Sequence, residues 1–486
     1  MQKQLHQVFF LLLGLLTLNG EAVAQTNPTT PQVDNRPTQT NRTAATVFTL
    51  EEFLTSVQLH HPIALSAGLL NDRARAELLL ARGFLDPELT ADWSQKNFDD
   101  KLYYQIYGGK LKVPTVLGID VVAGYEQTDG VFLNPENSTD EMGLWNVGVE
   151  ADIFQGLIVN ERRIALDRAE VIQRLNENQR QLEVNDLLYD AGLAYVDWQQ
   201  YYNYGQVLDS NVVLAENYFI ITKLSYEGGE YTAMDTLEAY ISYQDALTDR
   251  QKNEAMLIKA RQNMENYLWF DGTPLELVPG ISAPPFDVAV PFLNIAPVTS
   301  VVAANPLLRT YLNQQEIFLI EQRLKRVKAR PKMKVKYNPL LATRDESIRP
   351  TFNSNDFKWG FDFEVPLFLR RARAEIQLGE LKIQEYGYLI QAKQNELTNK
   401  LQASINQIEV MRDQVQITTD NVDRYELLLE GERIKFQFGE SSVFLLNKRQ
   451  EKFIESQLKL IELKAKIRDE VLNYGYLSND LIDRLD

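Results

Sequence analysis

The chain has no cysteine among its 486 residues, which excludes a disulfide framework and a lipid-modified N-terminal cysteine. Histidine is almost as scarce. Only His6, His60 and His61 occur, and the last two flank Pro62 at a helix boundary, where they read as turn and cap residues; a structural zinc site needs four convergent ligands. Seven methionines without a cysteine or histidine cluster give no support to a soft-metal path. A phosphate-cradling G-x-x-x-x-G-K-[ST] loop, a Cys/His pair and a G-x-S-x-G elbow are all missing. Carboxylates in pairs are common in any acidic helical chain and specify no acid–base chemistry. The chain therefore reads as a non-enzyme without cofactor or metal. Basic residues are outnumbered, 50 Lys and Arg against 67 Asp and Glu for a formal charge of −17, which argues against nucleic acid as a partner. Beyond the N-terminus no run of 18 apolar residues appears. A membrane-spanning helix is excluded on that count, leaving a closed β-barrel as the only way through a bilayer.

Residues 1–24 have a lysine, an apolar stretch around Val8 to Leu18, and Ala22-Val23-Ala24, the order of a secretory signal peptide. Residues 25–44 are rich in Thr, Asn, Gln and Pro and read as a flexible leader, because they hold too few hydrophobes to order themselves.

The remainder repeats itself. Pro62 and Pro87 are matched by Pro306 and Pro331, both pairs offset by 244; Trp145 to Phe154 is answered by Trp359 to Phe368 at 214, and Gly229-Glu230 by Gly439-Glu440 at 210. Residues 45–271 and 300–477 are thus expected to be two tandem copies of one unit. Each has a short helix, two strands, a long helix, a glycine turn and a shorter helix. The Pro-rich stretch 272–299 joins them, and 478–486 forms a tail.

Proline is absent between Pro135 and Pro274 and after Pro366, so two segments of more than a hundred residues are free to be helical. Heptad seams run through both, from Ala194, Trp198 and Tyr201 to Val212 and Ala215, and from Leu401, Ile405 and Ile408 to Leu429. A helix from about Arg370 to Phe438 would be roughly 100 Å long. Thr49 and Glu52 form a capping box at a helix start, while Gly228, Gly229 and Gly439 supply hairpin turns.

Strands show the other period. Val335 and Tyr337 alternate with Lys332, Lys334 and Lys336; Trp359, Phe361 and Phe363 with Asp362 and Glu364; Trp145, Val147 and Val149 with Asn146, Glu150 and Asp152; Leu89, Ala91 and Trp93 with Glu88, Thr90 and Asp92. Alternation over 8 to 10 residues gives one oily face for lipid and one charged face for a lumen. The same alternation also suits a half-buried sheet in a soluble domain, but strands at the tip of so long a helix pair fit a barrel continuing into a helical tube. Four strands are expected per chain, with Asn97 to Leu144 as a hairpin or extracellular excursion that has its own strand-like pieces, Leu102 to Val113 and Ile119 to Tyr125. Four cannot close a barrel, since about eight is the minimum, so identical subunits must combine.

Leu50-Glu51-Glu52 ahead of His61-Pro62, Ala303 to Leu308, Ala151 to Gly156, Glu364 to Phe368, and Gly229 followed by Asp235 and Leu237 make the chain resemble the TolC family of outer-membrane efflux proteins, from Thr49 to Leu477. The resemblance implies an α+β membrane protein: a homotrimeric channel-tunnel with a 12-stranded transmembrane β-barrel and a 12-helix periplasmic α-barrel, in the outer membrane of a Gram-negative bacterium. It implies a periplasmic adaptor (membrane fusion protein) and an inner-membrane pump as partners in efflux or type I secretion. It also implies a periplasmic gate at the hairpin tips. Asp235 matches a family aspartate six positions after the turn glycine, and Phe436 an aromatic gate position. Leu445 and Lys448 depart from the acidic pattern in the second copy, which puts an acidic, cation-selective constriction in doubt. The expected constriction is Tyr231, Asp235, Phe436, Phe444, Leu445 and Lys448, with Phe444 and Leu445 excluding ions by dewetting. The alternative from another class is a soluble periplasmic coiled-coil adaptor or scaffold without a pore.

Overall fold

A computed structural model describes residues 47–157, 159–278, 280–286, 297–342 and 351–482. The expected signal peptide, the leader, part of the connector and the last four residues lie outside them. The elements run α1 (Leu50–His60), α2 (Pro62–Gly83), β1 (Glu88–Phe98), β2 (Lys101–Pro114), β3 (Ile119–Asp129), β4 (Leu144–Asp152), α3 (Glu161–Glu227), α4 (Ala233–Glu265), a two-stranded ribbon of β5 (Trp269–Phe270) and β6 (Thr273–Pro274), α5 (Val298–Ala304), α6 (Pro306–Lys328), β7 (Lys332–Ala342), β8 (Thr351–Glu364), α7 (Arg370–Gln437) and α8 (Val443–Ser478).

The helix boundaries follow local chemistry. The Thr49 hydroxyl and the Glu52 carboxylate close a reciprocal capping box at α1. His61 Nδ1 accepts from Ile63 N–H ahead of Pro62, and Asn305 Oδ1 accepts from Leu307 N–H ahead of Pro306, so α2 and α6 start in the same way. Without internal proline, α3 runs 67 residues and α7 68, about 100 Å each at 1.5 Å per residue. On the sheet side, α3 packs against α2 and α6, and α6 against α7; on the far side, α3 packs against α4 and α8, and α8 against α7. Each level of the stalk is four helices wide. The shorter helices therefore divide the length of the long ones, 22 and 33 residues beside α3 and 23 and 36 beside α7. None of the described helices is long and apolar enough to cross a membrane.

The main core sits at the waist. Phe53 and Val57 of α1, Leu188, Tyr195 and Trp198 of α3, Met264 of α4 and Leu472 of α8 are buried together, with Phe53 stacked on Tyr195 at 5.6 Å. The Tyr195 hydroxyl donates to Phe48 O at 2.6 Å, and Gln199 Nε2 to Pro284 O at 2.9 Å, so α3 holds the segments entering and leaving the first half. A smaller cluster ties α5 to α7 through Val302, Leu397 and Leu401. Of the two seams, Trp198, Leu208, Val212 and Ala215, and Leu401, Ile405, Ile408, Val415 and Leu429 are buried.

The sheet differs from expectation. It has six strands in the order β1-β2-β3-β4-β7-β8, antiparallel throughout. The stretch expected as an excursion contributes β2 and β3 as full members, so the main sheet has six strands among the described residues and not four. The β1–β2 turn is Asp99-Asp100, both at positive φ of 53° and 59°, the twist of a two-residue hairpin that most often uses Asn-Gly or Asp-Gly.

Asp469 is wedged near Asp197 and Glu470, and burial followed by those charges pushes its carboxyl up to about 7. A carboxyl raised in the folded state holds a proton that the unfolded chain has lost between about pH 4 and 7. Its contribution is fully present below the unfolded value and is lost as pH rises through the folded one. Asp469→Asn should therefore raise stability at pH 8 by about 1–2 kcal/mol, after allowance for solvent screening, and leave it little changed at pH 4, as read from denaturation midpoints at both pH values.

Candidate functional site

Two places have the geometry to act: the sheet and the hairpin tips. Register aligns the sheet's side chains into rows. Val121, Val149, Tyr337 and Trp359 stand side by side across β3, β4, β7 and β8, and Ala91, Gly109, Tyr125, Trp145 and Leu341 across β1 to β7. Val147, Val335, Phe361 and Phe363 share this face by their alternation. Trp93, Trp145, Val147, Val149, Tyr337, Trp359, Phe361 and Phe363 are all exposed on it. One apolar surface thus covers all six strands. Patches of that extent mark contact with another apolar phase or partner.

The opposite face is charged. Lys332 faces Glu364 and Lys334 faces Asp362, while Lys336 meets Asp362 diagonally at 3.8 Å. The expected polar residues on β7 and β8 are joined by others on β2 and β3. Lys110 of β2 reaches over β3 to Glu150 of β4 at 3.2 Å, and Lys358 of β8 reaches over β7 and β4 to Glu126 of β3 at 3.2 Å. Gly124 lies between Lys110 and Asn146 in its row; a Cβ there would meet the Asn146 amide at 2.8 Å. Arg162, at the start of α3, forks onto both oxygens of Asp120, which also pairs with Lys112 at 3.0 Å. That fork fixes the sheet to the stalk with two parallel N–H···O bonds. A half-exposed pair such as Lys358–Glu126 contributes about 0–1 kcal/mol; its use is to hold charge in place on a wet surface.

At the far end, the two hairpin turns are built alike. Gly229 and Gly439 have φ of 83° and 77°, Glu230 N–H donates to Ser225 O at 2.8 Å, and Glu440 N–H to Lys435 O at 2.9 Å. Both are six-to-one closures that need the left-handed conformation glycine adopts without strain. Thr232 and Ser442 then cap α4 and α8.

The expected gate residues fall into two sets. Tyr231 and Phe436 meet across the two tips, rings stacked at 5.7 Å and 14°. Asp235 is engaged locally, its carboxylate accepting from Thr232 N–H at 2.9 Å and from the Thr232 hydroxyl at 2.7 Å. Leu445 takes the corresponding place after Ser442, its N–H donating to the Ser442 hydroxyl at 3.3 Å. Phe444 and Leu445 project into solvent from this protomer, and Lys448 pairs with Glu451 at 2.6 Å. Phe444 and Lys448 line an open groove with Asp245, Asp249, Glu451 and Glu455 between α4 and α8. Sequence reasoning missed the Arg433–Tyr218 bond, 2.9 Å from guanidinium to hydroxyl, which joins α7 to α3 near the tips; residues 215 apart on different helices leave no local signal. Among the described residues no cluster of three His, Asp or Glu could hold a metal.

Solved structures share the overall fold. The Campylobacter jejuni CmeC outer membrane channel superposes with a TM-score of 0.61 at 10% identity over 94% of both chains. The chain has the fold of the TolC-family outer-membrane channels. The outer membrane protein VceC of Vibrio cholerae matches at 0.62 and 11% identity, over 88% of this chain and 96% of that one; the Neisseria gonorrhoeae MtrE outer membrane channel, in its open state, at 0.61 and 12% over 89% of both. No family model matches the chain, and no curated protein does.

The stacked pair at the tips should protect them. Phe436→Ala is expected to speed amide exchange at residues 228–235 and 436–445 about five- to tenfold, the value of roughly 1 kcal/mol of aromatic contact, while exchange around Tyr195 stays unchanged in hydrogen–deuterium mass spectrometry.

Proposed function

We propose that this chain is the outer-membrane exit duct of a tripartite efflux or type I secretion assembly. Three copies form a β-barrel in the outer membrane and a helical tube in the periplasm, and the halves 45–271 and 300–477 act as two copies of one unit in each wall. The observation that carries the reading is the sheet with one continuous apolar face and one ion-paired face, at the end of helices about 100 Å long. A bilayer requires every backbone group of a spanning sheet to be paired and every outward side chain to be apolar. A soluble coiled-coil scaffold has no use for exposed Trp93, Trp145, Trp359 and Phe361 on one surface.

In this reading the duct is passive. The chain offers no nucleotide loop or nucleophile, so energy comes from an inner-membrane pump, delivered through a periplasmic adaptor docked at the hairpins. The tips form the gate. Tyr231 and Phe436 hold the two hairpins of one protomer together, and Phe444 and Leu445, exposed beside them, supply an apolar constriction that ions cross only when the tips splay. Asp235 belongs to the helix cap first and contributes its charge to the entrance second.

Two measurements test this. The protein should remain with outer membranes through a carbonate wash and require detergent for release; recovery in the soluble periplasmic fraction would refute the membrane reading. In planar bilayers, Leu445→Asp should raise cation conductance severalfold over the parent channel, and unchanged conductance and selectivity would remove Leu445 from the gate.

A further inference from the structure

The six-stranded sheet sets the bore of the duct. We propose that three copies close an 18-stranded barrel, β1 of each copy pairing with β8 of the next, so that the membrane pore is as wide as the helical tube beneath it. This rests on the membrane reading above and adds the strand number, the junction and the width.

The edges suit that junction. Both outer strands have one unpaired side, since the order ends in β1 and β8. An even number of antiparallel strands puts β1 and β8 in opposite directions, so a neighbouring copy continues the antiparallel ladder at the seam. Unpaired N–H and C=O groups cannot remain in hydrocarbon. The faces match as well. Leu89, Ala91 and Trp93 of β1 lie on the same side of the sheet as Trp359, Phe361 and Phe363 of β8, and a seam in register carries the apolar surface around the ring.

The widths agree independently. At a tilt near 40° and a strand spacing of about 4.8 Å, each strand occupies roughly 6 Å of circumference, so six span about 38 Å. Four helices side by side at about 9–10 Å span roughly 36–40 Å. Barrel and tube then have equal circumference for any number of copies, whereas four strands would span only about 25 Å and force a taper. For three copies the barrel is roughly 36 Å across between backbones, against roughly 24 Å for twelve strands. β2 and β3 are what widen it, and their own side chains obey the barrel pattern: Leu111 and Val121 on the apolar face, Lys110 and Lys112 on the paired one.

The absence of native cysteine allows single labels. Nitroxides placed one at a time through Leu111→Cys, Val121→Cys, Lys110→Cys and Lys112→Cys in the full chain, in outer membranes, should alternate: oxygen-accessible at 111 and 121, accessible to a water-soluble nickel chelate at 110 and 112. Thr90→Cys combined in turn with Lys358→Cys, Gly360→Cys and Asp362→Cys should give, for at least one pair, oxidative ladders ending at three chains. Uniform water accessibility through β2 and β3 beside lipid-exposed labels at Val149→Cys and Phe361→Cys would overturn the 18-stranded barrel and leave the membrane reading standing. Absence of lipid exposure at all these positions would overturn both.

Discussion

A backbone that enters hydrocarbon must be hydrogen-bonded without remainder, and the proposed duct depends on this rule. Within one chain the rule is met by five of the sheet's seven possible ladders, counting both outer sides; β1 and β8 each leave one open. In the proposed duct, the partners of those two open edges are other copies of the same chain. This accounts for features that make little sense in a soluble monomer: large aromatic side chains in rows on one exposed surface, charges reaching across one or two intervening strands on the other, and an arginine fork tying the charged side to the stalk. It also explains why so acidic a chain carries lysines on β2, β7 and β8, where they neutralise Asp120, Glu126, Glu150 and Asp362.

The stalk solves a different problem, reach. Two uninterrupted helices fix the length, and shorter helices laid along them keep the wall four helices wide at each level. The largest apolar cluster sits at the waist, where α1, α3, α4 and α8 meet. The tips are held by two helix caps, two glycine turns, the Tyr231–Phe436 stack and the Arg433–Tyr218 bond. The proposed gate thus lies far from the main core, at the end of the stalk where local motion need not unfold the waist.

Much of this was legible in the residues. Absence of proline marked the long helices, Thr49 and Glu52 a helix start, and paired glycines both turns, because each signal is local and has one dominant physical cause. The strands β1, β4, β7 and β8 were legible from alternation of aromatic and charged residues. β2 and β3 were legible as strand-like pieces but not as members of the sheet. Gly108-Gly109 interrupts the oily face, the turn uses Asp99-Asp100 where a glycine is the usual sign, and Val122 occupies the charged face at a buried position under its neighbours. The role of Asp235 as a cap and the Tyr231–Phe436 stack depend on atoms that spacing alone does not place.

The central claim is that the oily rows of the sheet touch acyl chains. Its most direct test is quenching by brominated lipids, with each of the five tryptophans restored singly to a tryptophan-free chain in liposomes. Trp93, Trp145 and Trp359 should be strongly quenched, while Trp198, buried at the waist, and Trp269, in the β5–β6 ribbon, should keep their emission. Equal insensitivity of all five would contradict the account.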